Sequence, residues 1–386
     1  MTENFATVPA VWVLIFDQYP VDVASRESRE SHCTGGLTPT AHQGSENAFD
    51  RLDLESTCFE QFLLQDVRSE IRTDDVFGGE SAFMNLSEAI TAAGQTASLV
   101  SLRADGASIT AHADCNVIES SMRRCRMPLN AVESLDCSNV DQVNSVVGGS
   151  SNVDLAFSAS LVWMEANTLS TTNSATAAKQ MLDFVFSRLH SRSVQEEKCP
   201  VLMVTFRRGD DLIVREPLQS GLAENRMHVP LWIRPNAGHA CRVQALSGSF
   251  DLLPTIATFL GSTTASDEAT PLAVAQIADS SERVVAAATR LSSEPRSLAF
   301  LCGAPQVCPD RLLKLRGDEW KAARTEGFLL VIMDSNSSAS QKNESDCDES
   351  EEPSRRLFVK PEDRYNVNDV SGTYATAADE LVRLLQ

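Results

Sequence analysis

The sequence predicts an α/β protein: a mostly parallel central sheet flanked by helices, followed by a small C-terminal α+β subdomain. Three observations predict it. Residues 11–16 and 201–204 are continuous apolar, β-branched runs, the composition of strands buried on both faces of a parallel sheet. Between them apolar residues recur at helical spacing, most clearly Ala177, Met181, Phe184, Val185 and Leu189. From about Ser262 the composition turns to Ser, Thr and Ala before short apolar runs resume. Residues 1–262 therefore read as the main domain and 263–386 as the subdomain.

With 386 residues and 42% hydrophobic content, the chain can bury one large core. A formal net charge of −20 excludes binding to a phosphate backbone, which needs a basic surface. The same charge repels anions at long range, so an anionic small molecule as partner needs a local basic pocket. No run of about 18 apolar residues marks a membrane span. The first residues lack a basic segment followed by an apolar one, so a cytoplasmic location is expected. Ten cysteines without CxxC or Cys/His ligand spacing read as reduced thiols.

Taken in order, residues 11–16 form a strand that ends in Asp17-Gln18-Tyr19-Pro20-Val21-Asp22, and residues 23–47 form a polar loop. Residues 85–100 carry an amphipathic helix, a stop at Gly94 and a return strand. Residues 106–152 predict a shortened crossover with a helix over 127–135, and residues 155–164 a core strand that leaves Glu165-Ala166-Asn167 as loop. Residues 176–190 form a helix that leads to the strand at 201–204 and its polar end, Arg207-Arg208-Gly209-Asp210-Asp211. Residues 229–233 are a strand, and 242–261 hold a helix that Asp251 caps and Pro254 enters. In the subdomain, residues 297–302 and 327–333 are apolar. Residues 334–354 are an acidic, Ser-rich insertion expected to be disordered, and 377–385 a closing helix.

Several of these pieces, in this order, resemble the sulfatase family of the alkaline-phosphatase-like superfamily. The carriers are Phe49-Asp50-Arg51-Leu52 with Cys58-Phe59, the 85–100 segment, Val229-Pro230-Leu231, Asp251-Leu252-Leu253-Pro254-Thr255, Arg324-Thr325 and Asn366-Val367. The resemblance implies that fold and a sulfuric ester hydrolase with a calcium or magnesium ion. Within that pattern Asp17 is the one metal-ligand position kept, a vestige, while Gln18, Arg207 and Arg208 stand at the other three. The family's formylglycine precursor motif is missing, since residues 64–84 contain neither Cys nor Pro. Its two lysines map to Leu102 and Gln219, its histidine to Ala104, and the first lysine of the chain is Lys179. No catalytic residue is therefore assigned. The resemblance implies a degenerate site without a cofactor: a pseudoenzyme acting as a binding or regulatory paralogue. The alternative is an active sulfuric- or phosphoric-ester hydrolase with a rearranged site holding calcium or magnesium. Arg207 and Arg208 are the candidate anion-binding pair, because guanidinium forks suit sulfate and phosphate.

Overall fold

The computed structural model describes residues 8–18, 48–68, 72, 74–103, 113–137, 152–168, 174–195, 199–209, 227–235, 240–262, 292–302, 311–333, 354–360 and 368–386. The first part runs β1 (Val11–Phe16), α1 (Ala48–Glu55), β2 (Thr57–Phe59), β3 (Phe62–Leu63), α2 (Gly79–Ala92), β4 (Ala97–Arg103), α3 (Ala113–Arg124) and β5 (Leu129–Asp136). It continues with α4 (Asn152–Phe157), β6 (Leu161–Asn167), α5 (Ser174–Gln195), β7 (Val201–Phe206), β8 (Leu231–Arg234), β9 (Cys241–Val243), β10 (Ser247–Gly248) and α6 (Leu252–Phe259). The C-terminal part holds β11 (Leu313–Arg316), β12 (Trp320–Arg324), β13 (Phe328–Met333), β14 (Arg355–Val359) and α7 (Ala375–Leu385).

Eight of these strands form one sheet in the order β5-β4-β6-β1-β7-β8-β2-β9. From β5 to β7 all neighbours are parallel, and β8 alone runs against the strands on both sides of it. The first strand thus lies at the centre, with β6 and β7 on either side. The chain crosses over β1 through α5 to get from one to the other, which makes the carboxyl end of β1 a topological switch point.

Side chains alternate between the faces of a strand, so the parallel register sorts them into two sets. Trp12, Leu14 and Phe16 point to one face, where Trp12 meets Phe157 of α4 at 4.9 Å between ring centres and Phe16 meets Phe49 of α1 at 6.2 Å. Phe157 in turn meets Phe184 of α5. The other face carries Val13 and Ile15 of β1, and Asp17 just after it, with Trp163 and Glu165 of β6. Phe77 and Phe83 of the α2 region pack on Trp163 there, each at 5.7 Å. The mostly parallel sheet with helices on both faces is the predicted architecture. The predicted subdomain is a four-stranded antiparallel sheet, β11-β12-β13-β14, with α7 packed on β12 and β13.

Three local expectations fail. Residues 127–135 are not a helix: β5 occupies them, because Leu129, Ala131, Glu133 and Leu135 alternate with exposed Asn130, Val132 and Ser134, the period of a strand. The helix lies upstream as α3, which buries Ile118 and Met122. The stretch 155–164 is split between α4 and β6, and Glu165-Ala166-Asn167 continues β6 as strand. Asp251 does precede α6, yet its side chain makes no cap bond to that helix and turns back into the protein. The stop of α2 at Gly94 is as expected, with φ 64° in the left-handed region. The 334–354 insertion lies outside the described residues except Ser354.

Candidate functional site

The carboxyl ends of the central strands place their polar residues in a row. Arg103 of β4 pairs in register with Asn167 of β6, and Asp17 and Arg207 follow β1 and β7 on the same face. The Arg207 backbone N–H donates to the Phe16 carbonyl at 2.8 Å, so Arg207 continues the ladder beside Asp17. One step down that face lie Ser101, Glu165, Ile15 and Thr205.

Asp17 is buried, with 2% of its surface exposed. Its two carboxylate oxygens accept the backbone N–H of Thr168 at 3.0 and 2.9 Å, and the Thr168 hydroxyl donates to Oδ1 at 2.5 Å. Glu165 is also buried. Its Oε1 accepts the indole N–H of Trp163 at 2.5 Å, and its Oε2 lies 3.5 Å from Nη1 of Arg207. The Arg207 side chain is 7% exposed, whereas Arg208 opens to solvent. The two arginines therefore differ: one is an element of the interior, the other of the surface.

Glu165 and Thr168 are the residues that sequence reasoning missed. Glu165 had a visible signal, an acidic residue directly after Leu161-Val162-Trp163-Met164. An acid embedded in such a strand needs a buried partner. Thr168 offered none, because its role depends on the register of β6 against β1.

Among the described residues the donor set does not fit calcium or magnesium. A hard cation takes six or more oxygen ligands. Here Thr168 donates to both oxygens of Asp17, and Glu165 faces a guanidinium. Among the described residues no group of three His, Cys, Asp or Glu could hold a metal. Asp210, Asp211, Gln219 and Ala104 lie outside the described residues.

The region after β3, where the nucleophile motif is missing, is built around a buried carboxylate. Asp74 receives Nη2 of Arg72 at 2.8 Å and the Ser121 hydroxyl at 2.5 Å, and its carbonyl accepts the N–H of Phe77 and of Gly79. This node fixes the turn from which α2 starts. The neighbouring Asp75 carboxyl is pushed up by burial and by the charge of Asp74. The hydroxyls of the 64–84 stretch that lack the motif's Pro and Arg context, Ser69 and Thr73, lie outside the described residues. Two stretches share residue types with the missing motif but not its spacing, Cys125-Arg126-Met127-Pro128 and Cys308-Pro309-Asp310-Arg311. Cys125 sits after α3 with its thiol on the Glu80 carbonyl, and burial pushes it up. Cys308 lies outside the described residues. Beside Asp136, which pairs in register with Arg103, burial and the charge of that carboxylate push Cys137 up to about 12, which keeps it a thiol rather than a nucleophilic thiolate. A separate groove of about 430 Å³ between α1 and α5, lined by Arg51, Asp183, Phe186 and His190, contains none of these residues.

Among the described residues no helix is long and apolar enough to cross a membrane. No family model matches the chain, and no curated protein matches it. Solved structures do. A Bacteroides thetaiotaomicron protein of glycosaminoglycan metabolism superposes with a TM-score of 0.54 at 9% identity, covering 98% of this chain and 98% of that one. The phosphonate monoester hydrolase from Silicibacter pomeroyi gives 0.52 at 12% identity over 97% and 93% of the two chains. The lipoteichoic acid synthase LtaP from Listeria monocytogenes gives 0.51 at 9% identity over 98% and 90%. Identities this low speak to architecture alone. With its parallel sheet, flanking helices and small antiparallel C-terminal sheet, the chain has an alkaline-phosphatase-like fold.

Proposed function

We propose that the chain is a sulfatase-like pseudoenzyme, without ester-hydrolase activity, that acts as a binding or regulatory paralogue. The observation that carries this reading is the buried Arg207–Glu165 ion pair at the switch point of the sheet. A guanidinium stands there among positions that the sequence resemblance gives to the ligands of a divalent cation. Two sequence features support it: no cysteine or proline over residues 64–84, and no lysine before Lys179. Without that nucleophile and without a divalent cation, the site would lack the groups that attack the ester and take up the charge on its departing oxygen in the family it resembles.

The test is turnover. Purified full-length protein is incubated with aryl sulfate, aryl phosphate and an aryl phosphonate monoester, each with calcium, magnesium or manganese. No release of the phenol above the protein-free rate is expected. Release that disappears in Asp17→Ala overturns the reading in favour of a hydrolase with a rearranged site. A small anion would meet Arg208 first, because Arg208 is exposed and Arg207 is not. Sulfate titrated against wild type and Arg208→Ala, followed by calorimetry, tests that contact.

A further inference from the structure

Two buried carboxylates, Asp17 and Glu165, lie on one face of the sheet at adjacent levels of β1 and β6. Buried carboxylates this close need a positive counter-charge or a proton. The counter-charge comes from the opposite side. Strands β6 and β7 flank β1, so their axes stand about 9–10 Å apart. The Arg207 side chain leaves β7 on the face that carries Asp17, and its guanidinium reaches Glu165 on β6 at 3.5 Å. It therefore lies across the carboxyl end of β1. Trp163 and Thr168 complete the setting by donating to the two acids.

We propose that Arg207 is an internal cation. Its guanidinium supplies the positive charge that Asp17 and Glu165 need, in the place a divalent ion would take, and by charge repulsion it excludes such an ion. An arginine suits this task because it stays protonated at any physiological pH and is weakly hydrated for a cation. The charge at the switch point is thus covalently tethered and independent of cation supply. This goes beyond the absence of turnover: an inactive protein could still depend on calcium for its stability, and here it does not.

The test measures thermal unfolding of the full chain with millimolar calcium and with chelator. For wild type the two melting temperatures should coincide. A calcium-dependent rise in wild type overturns the proposal. Arg207→Asp removes the guanidinium and leaves three acids facing one another. With chelator it should melt roughly 6–10 °C below wild type, the scale expected for a buried charge left alone. Calcium should then restore about 5 °C at a hundredfold excess over its Kd. A folded Arg207→Asp protein that ignores calcium overturns the proposal. If this variant does not fold with chelator, circular dichroism after refolding with calcium decides: recovery of the native spectrum supports the internal cation, and failure with calcium as well overturns it. In a second variant, Arg207→Met combined with Glu165→Met, the loss should be smaller than in Arg207→Met alone. An equal loss also overturns the proposal. Turnover plays no part in these readouts, so the two conclusions fail separately.

Discussion

Arg311 lays its guanidinium fork on both oxygens of Asp251, 60 positions earlier in the chain, and the two side chains are 2% and 0% exposed. Asp251 also accepts the backbone N–H of Gly248 at 2.8 Å and of Arg296 at 2.9 Å, while Nη2 of Arg311 donates to the Glu294 carbonyl at 3.0 Å. One carboxylate thus ties together the start of α6, the segment ahead of the C-terminal sheet and the residue that leads into β11. Replacing one member leaves the other charged and buried. Arg311→Met is therefore expected to lower unfolding free energy by about 3–5 kcal/mol in urea titrations. Asp251→Asn added to it should restore part of that loss, and strictly additive losses would contradict the coupling.

The Thr168 hydroxyl donates to the buried carboxyl group of Asp17 from a position whose backbone N–H does the same. Thr168→Val removes the hydroxyl bond and keeps the backbone bond and the shape. A loss of about 1.5–3 kcal/mol is expected in denaturant titrations, the range for hydrogen bonds to charged groups. A change below about 0.5 kcal/mol, the scatter of ordinary surface substitutions, would contradict that bond.

Glu55 links α1 to the antiparallel strand β8: Nε of Arg51 lies at 2.8 Å and Nε of Arg234 at 2.6 Å from its oxygens. Burial works against its charge, but the bonds from the two arginines prevail and hold its carboxyl below the ordinary 4.5. The folded state then binds this proton less tightly than the unfolded one. Its contribution is complete above pH 4.5 and is lost as pH falls through the depressed value. Melting temperature plotted against pH should therefore fall less steeply on the acid side in Glu55→Gln than in wild type. At neutral pH the two slopes should match.

Burial pushes the thiols of Cys137 and Cys302 up to about 12 each. The charge of Asp136 adds to the first, and a hydrogen bond with Thr57 pulls the second back. Thiolates are the reactive species, so iodoacetamide at neutral pH should leave both unmodified in the native protein and label both in urea. Peptide mass spectrometry reads the outcome, and an adduct on either in the native state would contradict that protection.

How far the sequence could be read follows from what each residue's role depends on. Local pattern was enough for β1, α2 with its Gly94 stop, α5, β7 and the apolar run of β13, since each carries its own periodicity or turn. Two misreadings were also local. Residues 129–135 alternate with period two, and the apolar residues of α4 and β6 run together without a break in hydropathy. The site was less accessible. Arg207 was picked out as foreign to the pattern, but its partner is 42 positions away on a strand not adjacent to β7, and only the sheet order brings them together. Asp251 was placed at the start of α6, yet its partners at 296 and 311 lie beyond a stretch with no pattern to align.

The apolar cluster beneath the C-terminal sheet carries one more implication. Leu63, Met227 and Leu246 are buried together with Leu313, Leu315, Trp320, Leu329, Val331 and Phe358, so the two halves of the chain are sewn by a common interior. Scission of the backbone between Ser262 and Ser292 should leave a nicked protein whose fragments travel as one species in gel filtration. Expressed alone, residues 292–386 would present a greasy, half-finished surface and precipitate, and co-expression with residues 1–262 should return them to solution. Complementation of this kind would make the chain a single folding unit even though its sequence reads as two.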